Sequence, residues 1–307
     1  MNTQYNLARA YDAMNHGNLH GAIEYLRQVL STEPEHANAH SLLAFCLHGQ
    51  KRLHAAEHEA KLGVSLAPDV SFGHYALGIV LTAKRDYAGA EQHLQTAIAL
   101  APEDDAALRG LAGLYTAFRM QDRVLPLLQQ ARDLDPENPD NWEALADHFT
   151  SIRQFDQAEF CCRQALEIDP LHHGALVSMG FVHLHVGRLS SAREHAVSAL
   201  QQDAESPSAI RLLISVRMRK NKLLGLWWRF NSLFVGRSMS YTIVFLLSLY
   251  VVYRISSLLL GDYGYDNAET AASYVWLSFC AYTWVSPAIF QRLLKKEMAS
   301  VDLSSDY

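Results

Sequence analysis

Three residues on one short stretch carry the strongest hint of chemistry. His54, Glu57 and His58 spell H-x-x-E-H, a spacing that on a helix sets two imidazoles on one face to hold zinc and a carboxylate beside them to act as a general base. Metal-assisted hydrolysis would also need a third protein ligand and an enzyme core, and the sequence offers neither. The other histidine pairs, His172 with His173 and His183 with His185, point to different sides of a helix, as adjacent and i,i+2 residues do. Cys46, Cys161, Cys162 and Cys280 form neither a CxxC pair nor a disulfide framework, which suits packing in a reducing compartment. No phosphate-binding glycine loop, dinucleotide fingerprint or nucleophile elbow occurs. A formal net charge of −6 leaves no basic face for nucleic acid. The expectation is a chain that is not an enzyme, with no catalytic residue, no metal and no cofactor.

The elements that carry these residues repeat. Pro34, Pro68, Pro102, Pro136 and Pro170 stand 34 residues apart. Small residues recur before them at Ala22, Ala56, Ala90 and Ala158, with Val124 as the exception, and again at Gly63, Ala97, Ala131 and Ala165, with Val29 in the first unit. Ala10, Ala44, Gly78, Ala112 and Ala146, with Leu43, Leu77, Leu111 and Leu145 beside them, mark the facing side of a partner helix. Small residues let two helices approach closely, and each proline ends one helix and presets the turn into the next. Each helical pair is too small to bury its own apolar stripe, so stability must come from stacking on neighbours.

This pattern resembles the tetratricopeptide-repeat family, whose signature is met best by Trp142, Leu145, Ala146, Phe149, Ala158, Ala165 and Pro170. The resemblance implies an all-α, right-handed superhelical solenoid of about six repeats over residues 1–206, at roughly 3–36, 37–70, 71–104, 105–138, 139–172 and 173–206. The sixth unit keeps Met179, Gly180, Ala192 and Ala199 but has Ala204 for the proline. In the first, Asn6 and Arg9 replace apolar residues, so its opening helix is expected to be shifted or frayed.

In the family the first helix of each repeat lines a concave surface. Carried onto this chain, that surface comprises Tyr11, Phe45, His48, Phe72, Tyr75 and Ile79 in an aromatic half. Arg109, Glu143 and Asp147, with Thr116, Thr150 and Phe181, form a more polar half. Such a split groove implies a protein or peptide partner held by aromatic anchors with a polar rim. Leu7, Leu42 and Ala76 stand where some relatives carry a clamp for a C-terminal carboxylate, so that ligand is not expected.

The C-terminal third is far more apolar. Residues 207–238 read as a capping helix and an amphipathic juxtamembrane segment, 239–260 and 270–290 as transmembrane helices, 261–269 as a short outer loop, and 291–307 as a cytoplasmic tail. Lys220, Lys222, Trp227, Trp228, Arg229, Phe230, Arg237, Lys295 and Lys296 are then the membrane-interface residues. Arg254 would reach the outer interface and meet Asp262 or Asp266. The sequence thus predicts a multi-pass protein with both termini cytoplasmic, as in a bacterial inner membrane. Membrane lipid and a homo-oligomer or larger membrane complex join the protein partner as expected contacts. Two functions fit: a membrane-anchored scaffold or adaptor that binds a protein through the groove, or a subunit of a translocation or pore complex whose hairpin oligomerises under control of the repeats.

Overall fold

The computed structural model describes residues 3–204, 206–220, 239–263, 265, 267–278 and 280–281, with backbone alone at 15, 239–247 and 261. Among these residues every regular element is a helix. The first helices of the repeats are α1 (Thr3–Asn15), α3 (Ala37–Gly49), α5 (Ser71–Lys84), α7 (Asp105–Ala117), α9 (Pro139–Ser151) and α11 (His173–Val186). The second helices are α2 (Leu19–Thr32), α4 (Leu53–Leu66), α6 (Tyr87–Leu100), α8 (Gln121–Leu134), α10 (Phe155–Ile168) and α12 (Leu189–Gln202). Then come α13 (Pro207–Lys220), which starts 34 residues after α11, and α14 (Met239–Asp262). The chain divides into two units, residues 1–186 and 187–307.

Local chemistry sets the repeat. Between first and second helix the chain turns through a left-handed residue at Gly17, Lys51, Arg85, Arg119, Arg153 and Gly187. From Gly17 to Arg153 these are Schellman turns: the Arg119 amide donates to Thr116 O at 3.1 Å and the Met120 amide to Tyr115 O at 2.8 Å. The four basic residues accept a conformation that costs an L residue about 1–2 kcal/mol, partly offset by a cation beside the negative end of a helix. At the other end, helix N-termini are capped by His36, Asp104, Asn138 and His172, again in 34-residue register. The proline carbonyls are used as well. Rings six residues on bond to them, His40 Nε2 to Pro34 O at 2.8 Å, His74 Nε2 to Pro68 O at 3.0 Å and Trp142 Nε1 to Pro136 O at 2.8 Å.

Ala22, Ala56, Ala90 and Ala158 are fully buried and Val124 is 1 % exposed, so the recurring small positions lie where each pair of helices meets. Each second helix of the first unit packs on its own first helix and on the next one. From α3 to α11 consecutive first helices also touch, whereas α2, α4, α6, α8 and α10 do not pack closely on one another. The first helices therefore form the tighter, inner layer of this unit. Its opening helix is in register rather than frayed. Asn6 is 3 % exposed, and Arg9 lies over the Tyr25 ring at 5.7 Å, so both departures from the pattern are absorbed.

In the second unit α12 and α13 pack through Ala196, Ala199, Leu212 and Leu213. A helical stretch over 267–278 lies against α14. There Tyr253 stacks on Trp276 with centroids 5.0 Å apart, and Ser257 donates to Glu269 at 3.2 Å.

The membrane expectation is corrected. Among the described residues no helix is long and apolar enough to cross a membrane. A bilayer core needs about 20 apolar residues in a row. Arg254 places a charge within α14, and the helical stretch over 267–278 is too short to cross. Arg254 is exposed and forms no ion pair among the described residues, rather than meeting Asp262, and Asp266 lies outside them. The multi-pass localisation loses its premise. Of the interface residues only Lys220 is described, exposed at the end of α13. Lys222, Trp227, Trp228, Arg229, Phe230, Arg237, Lys295 and Lys296 lie outside the described residues.

Candidate functional site

The H-x-x-E-H stretch lies on α4 and is not a metal site. Glu57 is ion-paired with Lys61 at 2.7 Å and with Lys84. Hydrogen bonds from these ammonium groups hold its carboxyl down at about 2, so it is a poor base. His54 and His58 face outward and are exposed. The three buried thiols are equally inert, since burial pushes Cys46 and Cys161 up to about 11 and Cys162 higher still.

On the inner layer the 34-residue register stacks side chains into columns. One column runs Tyr75, Arg109, Glu143 along α5, α7 and α9, and its neighbour runs Tyr11, Phe45, Ile79, Gly113, Asp147 from α1 to α9. Phe45 lies 5.5 Å from Phe72 and 5.4 Å from Tyr75, centroid to centroid, and Phe72 lies 6.5 Å from Tyr75. All three rings are half-buried, which leaves each an edge or face for a partner. Tyr11 is 43 % exposed and stands apart from this trio, its hydroxyl accepting from Asn38 Nδ2 at 3.2 Å.

A cavity of about 380 Å³ opens beside the rings, lined by His48, Tyr75, Ile79, Thr82, Arg109 and Leu114 among others. Burial pushes the Tyr75 phenol up and the His48 imidazole down, so both stay neutral near pH 7. Gly110 makes the packing of this wall feasible. A Cβ there would sit 2.9 Å from Tyr75 Cε2 and 3.2 Å from Ile79 Cδ1. A larger hollow, about 760 Å³, lies at the turns around Pro34 and Val70, at the edge of the inner face rather than along it.

The polar half is a bonded network. Arg109 donates to Asp105 Oδ2 at 2.7 Å, to Asn141 Oδ1 at 2.6 Å and to Asp140 Oδ2 at 3.3 Å. Asn141, fully buried, donates in turn to Asp105 Oδ2, Ala131 O and Asp135 O at 2.7, 3.1 and 2.9 Å. Asn141 was not among the residues singled out from sequence. Its signal is that an amide stands in a column otherwise made of Ala39, Gly73, Ala107 and Ala175.

Asp140, Glu143 and His172 bring one ligand atom each within 4.8 Å of one another, a grouping able to take a cation. His172 Nε2 donates to Asp140 Oδ1 at 3.0 Å, while its Nδ1 accepts the Ala175 amide at 3.2 Å and so caps α11. The Asp140 bond raises His172 and lowers Asp140. Glu143 fares differently. Among the described residues the one basic-group nitrogen within 4.0 Å of its carboxylate is His172 Nδ1 at 3.9 Å, an atom already taken up in accepting the Ala175 amide, and burial together with Asp147 pushes the Glu143 carboxyl up to about 7. Asp147 is exposed and accepts from Ser178 Oγ at 2.6 Å.

The sequence matches three tetratricopeptide-repeat profiles, over residues 13–72, 75–139 and 139–170. A search of curated protein sequences finds no match. Among solved structures, the chain is similar to TTC0263, a thermophilic repeat protein of Thermus thermophilus, with a TM-score of 0.56 and 21% identity over 60% of this chain and 100% of that one. It is similar to a chain of the APC/C Cut9–Hcn1 hetero-tetramer, with a TM-score of 0.55 and 17% identity over 70% of this chain but only 42% of the other. The pilus biogenesis factor PilW gives a TM-score of 0.51 at 15% identity over 69% of this chain and 98% of PilW. At these identities the likeness is one of fold.

Proposed function

From the premise that this chain belongs to the tetratricopeptide-repeat family, a class of protein-interaction scaffolds, we propose that it is a non-enzymatic scaffold or adaptor that grips a segment of another protein along its inner layer of first helices. The observation that carries this reading is the Phe45, Phe72, Tyr75 cluster. Three rings in mutual contact remain partly exposed on the inner layer, and Tyr75 lines the 380 Å³ cavity, although the repeats already bury alanine and leucine where they stack. Half-buried aromatic anchors bordered by a polar rim are the arrangement that holds protein segments elsewhere. His48 and Ile79 line the cavity with them, Tyr11 extends the aromatic surface towards the first repeat, and Arg109, Glu143 and Asp147 supply the polar rim.

The test compares what co-purifies with the full chain and with Phe45→Ala plus Tyr75→Ala, after circular dichroism shows that the variant keeps its helices. The groove reading expects specific partners to be lost. An unchanged set of partners on a folded variant would remove the groove from the account.

A further inference from the structure

We propose that the groove is built for a partner segment that carries a lysine or arginine near a bulky apolar residue, with the cationic group seated on Glu143 and Asp147. This deepens the groove reading and rests on it.

The argument begins with a gap. In the column that runs Phe45, Ile79, Gly113, Asp147 the floor is empty at Gly113, where a Cβ would meet no heavy atom within 4 Å. Tyr75, Ile79 and Leu114, with Arg109, line the cavity that Gly113 also borders, and the register sets the Glu143 and Asp147 positions one helix further along. Within one small region the groove thus passes from an apolar wall to two carboxylates.

Charge complementarity then fixes what the carboxylates want. Four acidic side chains, Asp105, Asp140, Glu143 and Asp147, meet two basic groups, Arg109 and His172. Arg109 is fully engaged by Asp105, Asn141 and Asp140, and His172 gives its Nε2 proton to Asp140. Glu143 receives no hydrogen bond among the described residues, and Asp147 receives one, from the neutral Ser178. A half-buried Glu143 beside the exposed Asp147 leaves two like charges with no cation between them, and an incoming ammonium or guanidinium supplies one. Tyr75 and Ile79 suit the methylene stem of such a side chain and the apolar residue beside it. Neighbouring helix axes lie about 10 Å apart, which an extended chain covers in about three residues. Apolar and cationic residues two or four apart share one face of such a chain and bridge that distance.

The test uses fluorescein-labelled nonapeptides of Ala, Ser and Gly with one Phe, and with Lys two or four residues from it. Control peptides carry norleucine or Glu in place of Lys. Fluorescence anisotropy on the full chain is expected to give at least tenfold tighter binding for the Lys peptides than for either control. Glu143→Gln with Asp147→Asn should erase that ratio and keep the affinity for the norleucine peptide. Gly113→Leu, which fills open space on a helix, should weaken all the peptides while the fold is retained.

Equal binding of Lys and norleucine peptides would overturn the cationic assignment and leave the groove reading standing, whereas no binding by any peptide would overturn both. Stoichiometric uptake of Zn²⁺ or Ca²⁺ alone, lost in Asp140→Asn, would show that the carboxylates serve a metal and would overturn the proposal.

Discussion

Repeats two and three differ from repeats four and five on the same inner layer, although their helices start in the same register. In the earlier pair the surface is held by ring contacts among Phe45, Phe72 and Tyr75, which are non-directional and leave part of each ring in view. In the later pair it is held by directed bonds that converge on Asp105, Arg109 and Asn141. The difference teaches that stacking and surface are separable. The alanines that join one helix to the next recur in every repeat, so the column positions that face the groove are free to be aromatic in one place and ionic in another.

The largest predicted break in this comparison is Asn141→Ala. It strips Arg109 of one acceptor and removes one donor each from Asp105, Ala131 O and Asp135 O at a fully buried position, while Arg109 and Asn138 still reach Asp105, so a cost of about 2–3 kcal/mol is expected from urea unfolding. Phe45→Ala in the aromatic half should cost less, about 1–2 kcal/mol, because its ring is only partly buried. A smaller effect depends on pH. The folded carboxyl of Glu143, held at about 7, lies above its unfolded value, so this residue's contribution is favourable below about pH 4.5 and is lost as pH rises through 7. Glu143→Gln should therefore stabilise the chain by about 1–2 kcal/mol at pH 8, discounted for partial exposure, and by almost nothing at pH 4. Thermal melts at the two pH values read this directly. The smallest effect belongs to neither half. Arg119→Gly relieves a left-handed residue with φ of 61° and should stabilise by about 0.5–1 kcal/mol, measured by the same melts.

Much of the fold was legible because proline and alanine recur at fixed spacing for reasons of backbone and close approach. The turn residues were legible in principle too. Gly17 and Gly187 stand in one column with Lys51, Arg85, Arg119 and Arg153, yet a basic residue in a left-handed turn carries no signal of its own. The aromatic half of the groove could be read from position alone, since Phe45, Phe72 and Tyr75 fall on facing turns of neighbouring helices. In the polar half the positions of Arg109, Glu143 and Asp147 could be read, but not the bonds they make. Arg109 meets its partners 31 and 32 residues away, and which acceptors it takes depends on side-chain geometry that periodicity does not encode. The apolar tail misled for a related reason. Hydropathy counts greasy residues, whereas a span needs an unbroken apolar run on a helix long enough to carry it, and among the described residues no helix supplies both.

The central claim, that the inner layer and not the outer one meets the partner, is tested most directly by site-specific photocrosslinking in the native cell. A benzoylphenylalanine placed at Ile79 on α5 should yield discrete adducts, and the same group at the exposed Gln95 on the second helix α6 should yield none. Adducts of equal strength at Gln95, with Ile79 silent, would contradict the account.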